Sequence, residues 1–190
     1  MILTPNNEYC VVLDACVLVP MPLCDTLLRA AEEPSFFRIA WSAQILEEVR
    51  KTLNGSKFNY SAQQAARRIA SMQLAFPEAL HNIPPGLIEG MIGLPDPDDR
   101  HVLALANHAH ANTIVTNNLC DFPEEALASH HVTVLSADEF LMHQYHLDPQ
   151  LILEKIDRQA AGIRRQRSEV LALLQKSVPG FCDLCSRREG

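Results

Sequence analysis

Acidic side chains stand at four separated points of this sequence, each beside a pattern that would hold it at the margin of a core. Asp14 ends the apolar run Val11-Val12-Leu13, and Glu47 and Glu48 lie between Leu46 and Val49. Asp96, Asp98 and Asp99 precede Val102-Leu103-Ala104-Leu105-Ala106, and Asp121 follows Ile114-Val115-Thr116-Asn117-Asn118. Carboxylate and amide oxygens are hard donors that suit Mg2+ or Mn2+. Several of them in one pocket would suit metal-assisted hydrolysis of a phosphodiester.

Each station also has a plainer explanation. Asp14 could be a surface-loop aspartate, although carboxylates at strand ends are well placed to hold a cation. At about 100° per residue, Glu47 and Glu48 both fall on the flanks of an apolar helical face, Glu48 somewhat nearer it, so periodicity does not choose between them. Asp99 falls on the same side as Val102, Leu103 and Ala106, where a carboxylate needs a cap, a cation or a metal as partner. One cap explains one of Asp96, Asp98 or Asp99, and three acids exceed that need. Thr116, Asn117, Asn118 and Asp121 could form a turn, with helix capping the stronger local reading for Asp121. Ser42 reads as an N-cap, His101 as a solvated helix residue, and Thr116 as a strand-end residue that could instead orient a phosphate. His108, His110, His130 and His131 share no ligand spacing.

The elements that must position these groups alternate in type. Val11–Leu13 reads as a buried parallel strand, 22–33 as a helix, Phe36–Ala40 as a second strand, and the segment after Ser42 as a helix broken at Asn54-Gly55-Ser56. A helix over 62–74 is followed by an irregular connector rich in proline and glycine. A helix then runs from about Asp98 to His110, followed by strands at Thr113–Thr116 and Val132–Leu135. A long helix over 149–176, interrupted near Gly162, is closed by Pro179-Gly180. The alternation predicts an α/β fold, a parallel sheet covered by helices, with a C-terminal helical extension. The expected division is 1–148 for the sheet domain and 149–190 for the extension and a flexible tail.

The 190 residues suit one domain, and the net charge is -7. That sign argues against non-specific duplex binding. It is uneven: residues 1–150 carry 8 Lys/Arg and 18 Asp/Glu, net −10, while 151–190 carry 8 and 5, net +3. Arg158, Arg164, Arg165 and Arg167 are therefore candidates for phosphate contact, against the plainer role of solubility or partner contact. No apolar run is long enough to span a bilayer, and the first ten residues lack a basic-then-apolar leader, so a cytoplasmic location is expected. Cys10, Cys16, Cys24 and Cys120 read as reduced, mostly small hydrophobes. Cys182-Asp-Leu-Cys185 has metal or dithiol spacing but supplies only two ligands, which favours an unpaired or frayed tail.

Taken in order, the stations resemble the PIN-domain nuclease family, including bacterial toxin–antitoxin ribonucleases. Cys10-Val11-Val12-Leu13-Asp14-Ala15-Cys16 is similar to the family's opening strand, and Trp41-Ser42-Ala43-Gln44-Ile45-Leu46-Glu47-Glu48-Val49 to its second motif. Asp96-Pro97-Asp98-Asp99-Arg100-His101-Val102-Leu103-Ala104-Leu105-Ala106 is similar to the third, and Val115-Thr116-Asn117-Asn118-Leu119-Cys120-Asp121-Phe122-Pro123 to the fourth. The resemblance covers about 10–140. It implies Asp14, Glu48, Asp99 and Asp121 as metal residues, with Asn118 completing the catalytic set. Asn118 departs from the Asp found in many family members and removes one charge.

The resemblance also implies Mg2+ or Mn2+ as cofactor and RNA as substrate. A toxin role with an antitoxin protein as partner, or a homo-oligomer, would fit the same family, and no membrane partner is expected. The residues themselves leave DNA open as a substrate. The rival is a non-catalytic protein- or RNA-interaction module with a degenerate metal site. A phospho-aspartate phosphatase is disfavoured, because Asp14-Ala15-Cys16 lacks the second Asp.

Overall fold

Four residues that are all fully buried, Cys10–Leu13, form the central strand β1 of the computed structural model, which describes residues 9–187. The leader reading of the N-terminus and the last three residues of the tail lie outside the described residues. From β1 the chain passes through α1 (Ala15–Leu18) and α2 (Met21–Ala31) to β2 (Arg38–Ser42), α3 (Ala43–Asn54) and α4 (Ala62–Ala75). Next come β3 (Leu80–His81), α5 (Pro85–Glu89), α6 (Arg100–His108), β4 (Thr113–Val115), α7 (Glu124–Leu127) and β5 (Thr133–Leu135). Then follow α8 (Ala137–Leu147), α9 (Pro149–Gly162), α10 (Arg167–Leu174) and α11 (Pro179–Ser186). Short 3-10 turns occupy Pro97–Asp99 and Leu119–Asp121.

The strands form one five-stranded sheet, β3-β2-β1-β4-β5, in which every pairing is parallel. Connections run outward from β1 to β2 and β3, then cross back to place β4 on β1's other side. This reversal opens a crevice at the C-terminal ends of β1 and β4, the usual ligand position in open α/β sheets. Val11, Val12 and Leu13 pair with Thr113, Ile114 and Val115, so Asp14 and Thr116 emerge side by side. The register continues past the strands, with Asp14 N donating to Val115 O at 3.1 Å and Thr116 N to Leu135 O at 3.0 Å.

Several expectations shift. The second strand starts two residues later than expected, because Trp41 and Ser42 pair with Leu80 and His81. That partner, β3, is a two-residue strand hidden in the proline-rich connector, too short to show a period. Residues 101–106 of α6 are all buried, for α6 packs on β1, β2 and β4 while α5 packs against it. The reading of His101 as solvated is thereby corrected: it is 2% exposed.

After residue 148 the chain remains on the same apolar cluster, to which Ile152, Leu174, Phe181 and Cys185 contribute. Lys155 Nζ on α9 donates to Arg29 O at 2.8 Å and to Glu32 O, closing the C-terminal carbonyls of α2. Gln159 accepts from Thr26 Oγ1 at 2.8 Å and donates to Pro22 O at 3.0 Å. Burial of these polar groups is thus matched by partners.

Pro179-Gly180 begins α11 instead of closing a helix. The amides of Gly180 and Phe181 donate to the carboxylate of Asp138 at 3.0 and 2.8 Å. A Cβ on Gly180 would lie 2.8 Å from Met142 Sδ, so a larger residue here would require the Met142 side chain to shift. Cys182 and Cys185 are 1% and 0% exposed in α11, which corrects the frayed-tail reading. Burial pushes the Cys182 thiol up to about 12, away from the thiolate a metal or redox role would use. No helix among the described residues is long and apolar enough to cross a membrane.

Candidate active site

Asp14 lies beyond the last residue of β1, where its carboxylate is 5% exposed and fixed by short bonds. Oδ1 accepts Ala15 N at 2.6 Å, so Asp14 is the N-cap of α1. Oδ2 accepts the Thr116 hydroxyl at 2.7 Å and the Cys16 thiol at 3.1 Å. The Thr116 oxygen in turn accepts Asn118 N at 3.0 Å, and Cys16 Sγ accepts Asn117 N at 3.2 Å. One carboxylate therefore ties the start of α1 to the turn after β4. Three donors leave Oδ1 with acceptor capacity for a fourth partner. Burial, then the negative charge of Asp14, pushes the Cys16 thiol up to about 12, which keeps it a neutral donor.

Thr116 is fully buried, with its hydroxyl engaged on both sides. Direct phosphate contact by Thr116, one of the sequence expectations, is thus sterically closed; it positions Asp14. The exposed Asn118 heads the 3-10 turn at Leu119–Asp121 without a side-chain cap, which leaves its amide uncommitted to the turn. Asp121 does not cap α7, whose N-cap is Pro123 with no side-chain bond.

The three acids at 96–99 divide their work. Asp96 caps its turn by accepting Asp98 N at 2.9 Å, and Asp98 is exposed. Asp99 makes no capping bond at the start of α6. Its carboxyl is pushed up to about 6, by burial first and then by the negative charges of Asp121, Asp14 and Asp96. The neighbouring carboxylates thus add to the effect of burial, and the nearby His101 opposes both.

At the second station the helix separates what periodicity left open. Glu47 turns to Arg50, pairing at 2.5 Å on the surface, while Glu48 Oε1 meets His101 Nε2 at 2.8 Å. Ser42 caps α3 by accepting Ile45 N at 3.2 Å, as expected. Nδ1 of His101 is buried without a partner among the described residues. His101 is the residue that sequence reasoning missed. The only sequence hint was the unbroken apolar run Val102–Ala106 beside it, which marks a helix covered on more than one side.

Asp14, Glu48, Asp99 and Asn118 line one cavity of about 370 Å³, with Cys16, Thr52, Lys57 and Phe58 also on its wall. Asp121 is not on that wall and acts on it through Asp99. A larger cavity of about 550 Å³ lies beside β5 between Phe122 and Val134, but no such set of carboxylates converges there. Among the described residues no three His, Cys, Asp or Glu side chains are arranged to hold a metal ion. The donor chemistry nonetheless suits a hard cation: Asp14 is a fixed anion, Asp99 is opposed by three acids, and Asn118 offers a neutral oxygen.

The PIN-domain family matches residues 10–119, and the chain belongs to that family. A protein of Mycobacterium tuberculosis carrying the name "Putative ribonuclease VapC50" is 47% identical over 49 residues. That match covers 26% of this chain and spans only 29% of the relative's length. No solved structure matches significantly.

Proposed function

We propose that this chain is a divalent-cation-dependent endoribonuclease that cuts RNA phosphodiester bonds in the cavity beyond β1 and β4. One observation carries the reading: Asp14, Glu48, Asp99 and Asn118, from four distant stations, line a single cavity at the sheet's reversal point in a PIN-domain chain. Asp14, Glu48 and Asp99 would hold Mg2+ or Mn2+, and Asp121 supplies further negative charge. A cation bound there would supply an activated water and charge neutralisation at the phosphate.

The chain's own residues do the positioning. Thr116 and Cys16 fix the Asp14 carboxylate, and His101 holds Glu48 against the pocket. Asn118 presents an amide that can orient phosphate without adding charge. RNA is preferred over DNA on the family resemblance and on the printed name of the mycobacterial relative, a ribonuclease. The same resemblance supports a toxin role with an antitoxin protein as partner, in the cytoplasm.

Incubating the purified chain with end-labelled RNA in Mg2+, Mn2+ or EDTA tests the proposal. Internal cleavage that needs the cation and disappears in Asp14→Asn is expected. A second reading, an interaction module with a degenerate metal site, draws on the lack of a ready-made three-ligand cluster among the described residues. It predicts RNA or protein binding without cleavage in any of these ions.

A further inference from the structure

The link between α3 and α4 folds back on the helix it leaves. Phe58 N and Asn59 N donate to Gly55 O at 3.2 and 2.9 Å, and Tyr60 N donates to Leu53 O at 3.0 Å. Gly55 permits this closure, since a Cβ there would lie 3.2 Å from Thr52 O. Asn59 takes a left-handed conformation, φ 53, which Asn tolerates better than most residues. The loop is therefore a preformed shelf that costs little to order when something binds it.

Lys57 and Phe58 on this shelf belong to the wall of the same cavity as Asp14, Glu48, Asp99 and Asn118. Among the described lining residues Lys57 is the one cation. A lysine placed only to neutralise the acids would pair with one of them, and none of the described ion pairs includes it. Its ammonium instead sits 5.5 Å from the centroid of the Phe58 ring. Phe58 packs on the core while remaining partly exposed. The side chain is thus held in place yet offers surface at the mouth of the pocket.

A polyanion approaching this acidic cavity is repelled by it, so a cation at the rim is needed to set its backbone down. An aromatic ring beside that cation matches an unpaired strand, whose bases have free faces to stack. A duplex keeps those faces inside its own stack. We propose that the Gly55–Tyr60 loop is the docking element for single-stranded RNA, Lys57 holding a phosphate that flanks the scissile one and Phe58 stacking the adjacent base. The inference rests on the ribonuclease reading and adds to it the strand form of the substrate and the residues that choose it.

Binding is measured in the Asp14→Asn protein, whose cleavage is expected to be suppressed, by anisotropy of a short fluorescein-labelled mixed-sequence RNA in Mg2+. Lys57→Ala should weaken binding about tenfold and lower the log-log salt slope by about 0.7, while Lys57→Arg restores both. Phe58→Ala should weaken binding roughly tenfold with the salt slope unchanged. The same RNA annealed to its complement should bind more weakly. With Asp14 intact, both alanine variants should raise KM and hold kcat within about twofold. Circular dichroism verifies each fold.

Unchanged affinity and salt slope in both alanine variants, or tighter binding of the duplex, overturns the loop's role. If the native chain cleaves RNA and these variants match it, only the docking inference falls. If the native chain cuts no RNA in Mg2+ or Mn2+ while Lys57 and Phe58 still govern single-strand binding, only the ribonuclease reading falls. Absence of RNA binding overturns both.

Discussion

The two walls of the cavity are built on opposite electrostatic terms. On the β1 wall, Asp14 is buried but satisfied by an amide, a hydroxyl and a thiol. On the α6 wall, Asp99 lacks a capping bond, and burial first, then the charges of Asp121, Asp14 and Asp96, push its carboxyl up to about 6. One carboxylate is organised by the protein; the other is left with a deficit that a cation would relieve. A metal-binding function therefore need not require equal preparation of its ligands. The fold fixes one carboxylate and leaves another frustrated, and an ion bound there would offset that frustration.

The largest expected effects lie at these two residues, and they have opposite signs for stability. Asp14→Asn should reduce RNA cleavage by at least about 100-fold, through loss of a charge where charge develops in the transition state. It should also cost the metal-free fold about 1 kcal/mol, because one of its acceptor oxygens becomes an amide nitrogen. Asp99→Asn should reduce cleavage comparably but stabilise the metal-free protein at pH 8. Solvent screening limits that gain to about 1 kcal/mol, roughly 2–4 °C in Tm. Differential scanning calorimetry separates the two; the same sign for both variants would break the contrast.

The pH dependence follows from Asp99. Its folded carboxyl, raised to about 6 from 3.8, keeps its proton after the unfolded chain has released it. This contribution to stability is full below about 3.8, is lost as pH rises to about 6, and is flat above that. Comparing urea midpoints of the native protein and Asp99→Asn from pH 4 to 8 isolates the loss, which should vanish in the variant. Saturating Mg2+ should reverse it.

His101 carries a smaller effect. His101→Leu removes the donor to Glu48 along with a buried nitrogen that lacks a partner, so stability should change by less than about 1 kcal/mol. Metal affinity and cleavage should fall about tenfold, with partial recovery in His101→Gln, which retains a donor. Calorimetric Mn2+ titration alongside the cleavage assay reads both. Smaller still, Asn118→Asp should tighten Mn2+ severalfold if its oxygen reaches the ion, whatever happens to turnover. Unchanged affinity in that folded variant would place Asn118 beside the substrate instead.

Sequence pattern made four of the five strands and the four stations legible, because strand runs that end in polar residues signal buried strands opening on a crevice. Asp14 and Thr116 become neighbours through one register, β1 against β4, which the apolar runs alone do not specify. What stayed hidden depends on contacts that periodicity does not encode. The choice of Glu48 over Glu47 turns on His101, 53 positions later in the numbering, and His101 is buried because α6 is covered by both the sheet and α5. Thr116 looked free to meet phosphate, and only three-dimensional pairing shows its hydroxyl already spent. Lys57 and Phe58 carried no motif at all; a backbone fold-back at Gly55 delivers them to the pocket.

The most direct measurement is calorimetric titration of Mn2+ into the native chain, Asp14→Asn and Asp99→Asn at pH 7.5. The account predicts saturable binding to the native protein and at least about a tenfold loss of affinity in each variant, even though Asp99→Asn is the more stable fold. Native-like affinity in both variants, or no saturable binding to the native chain, would contradict a cation site built on the two walls.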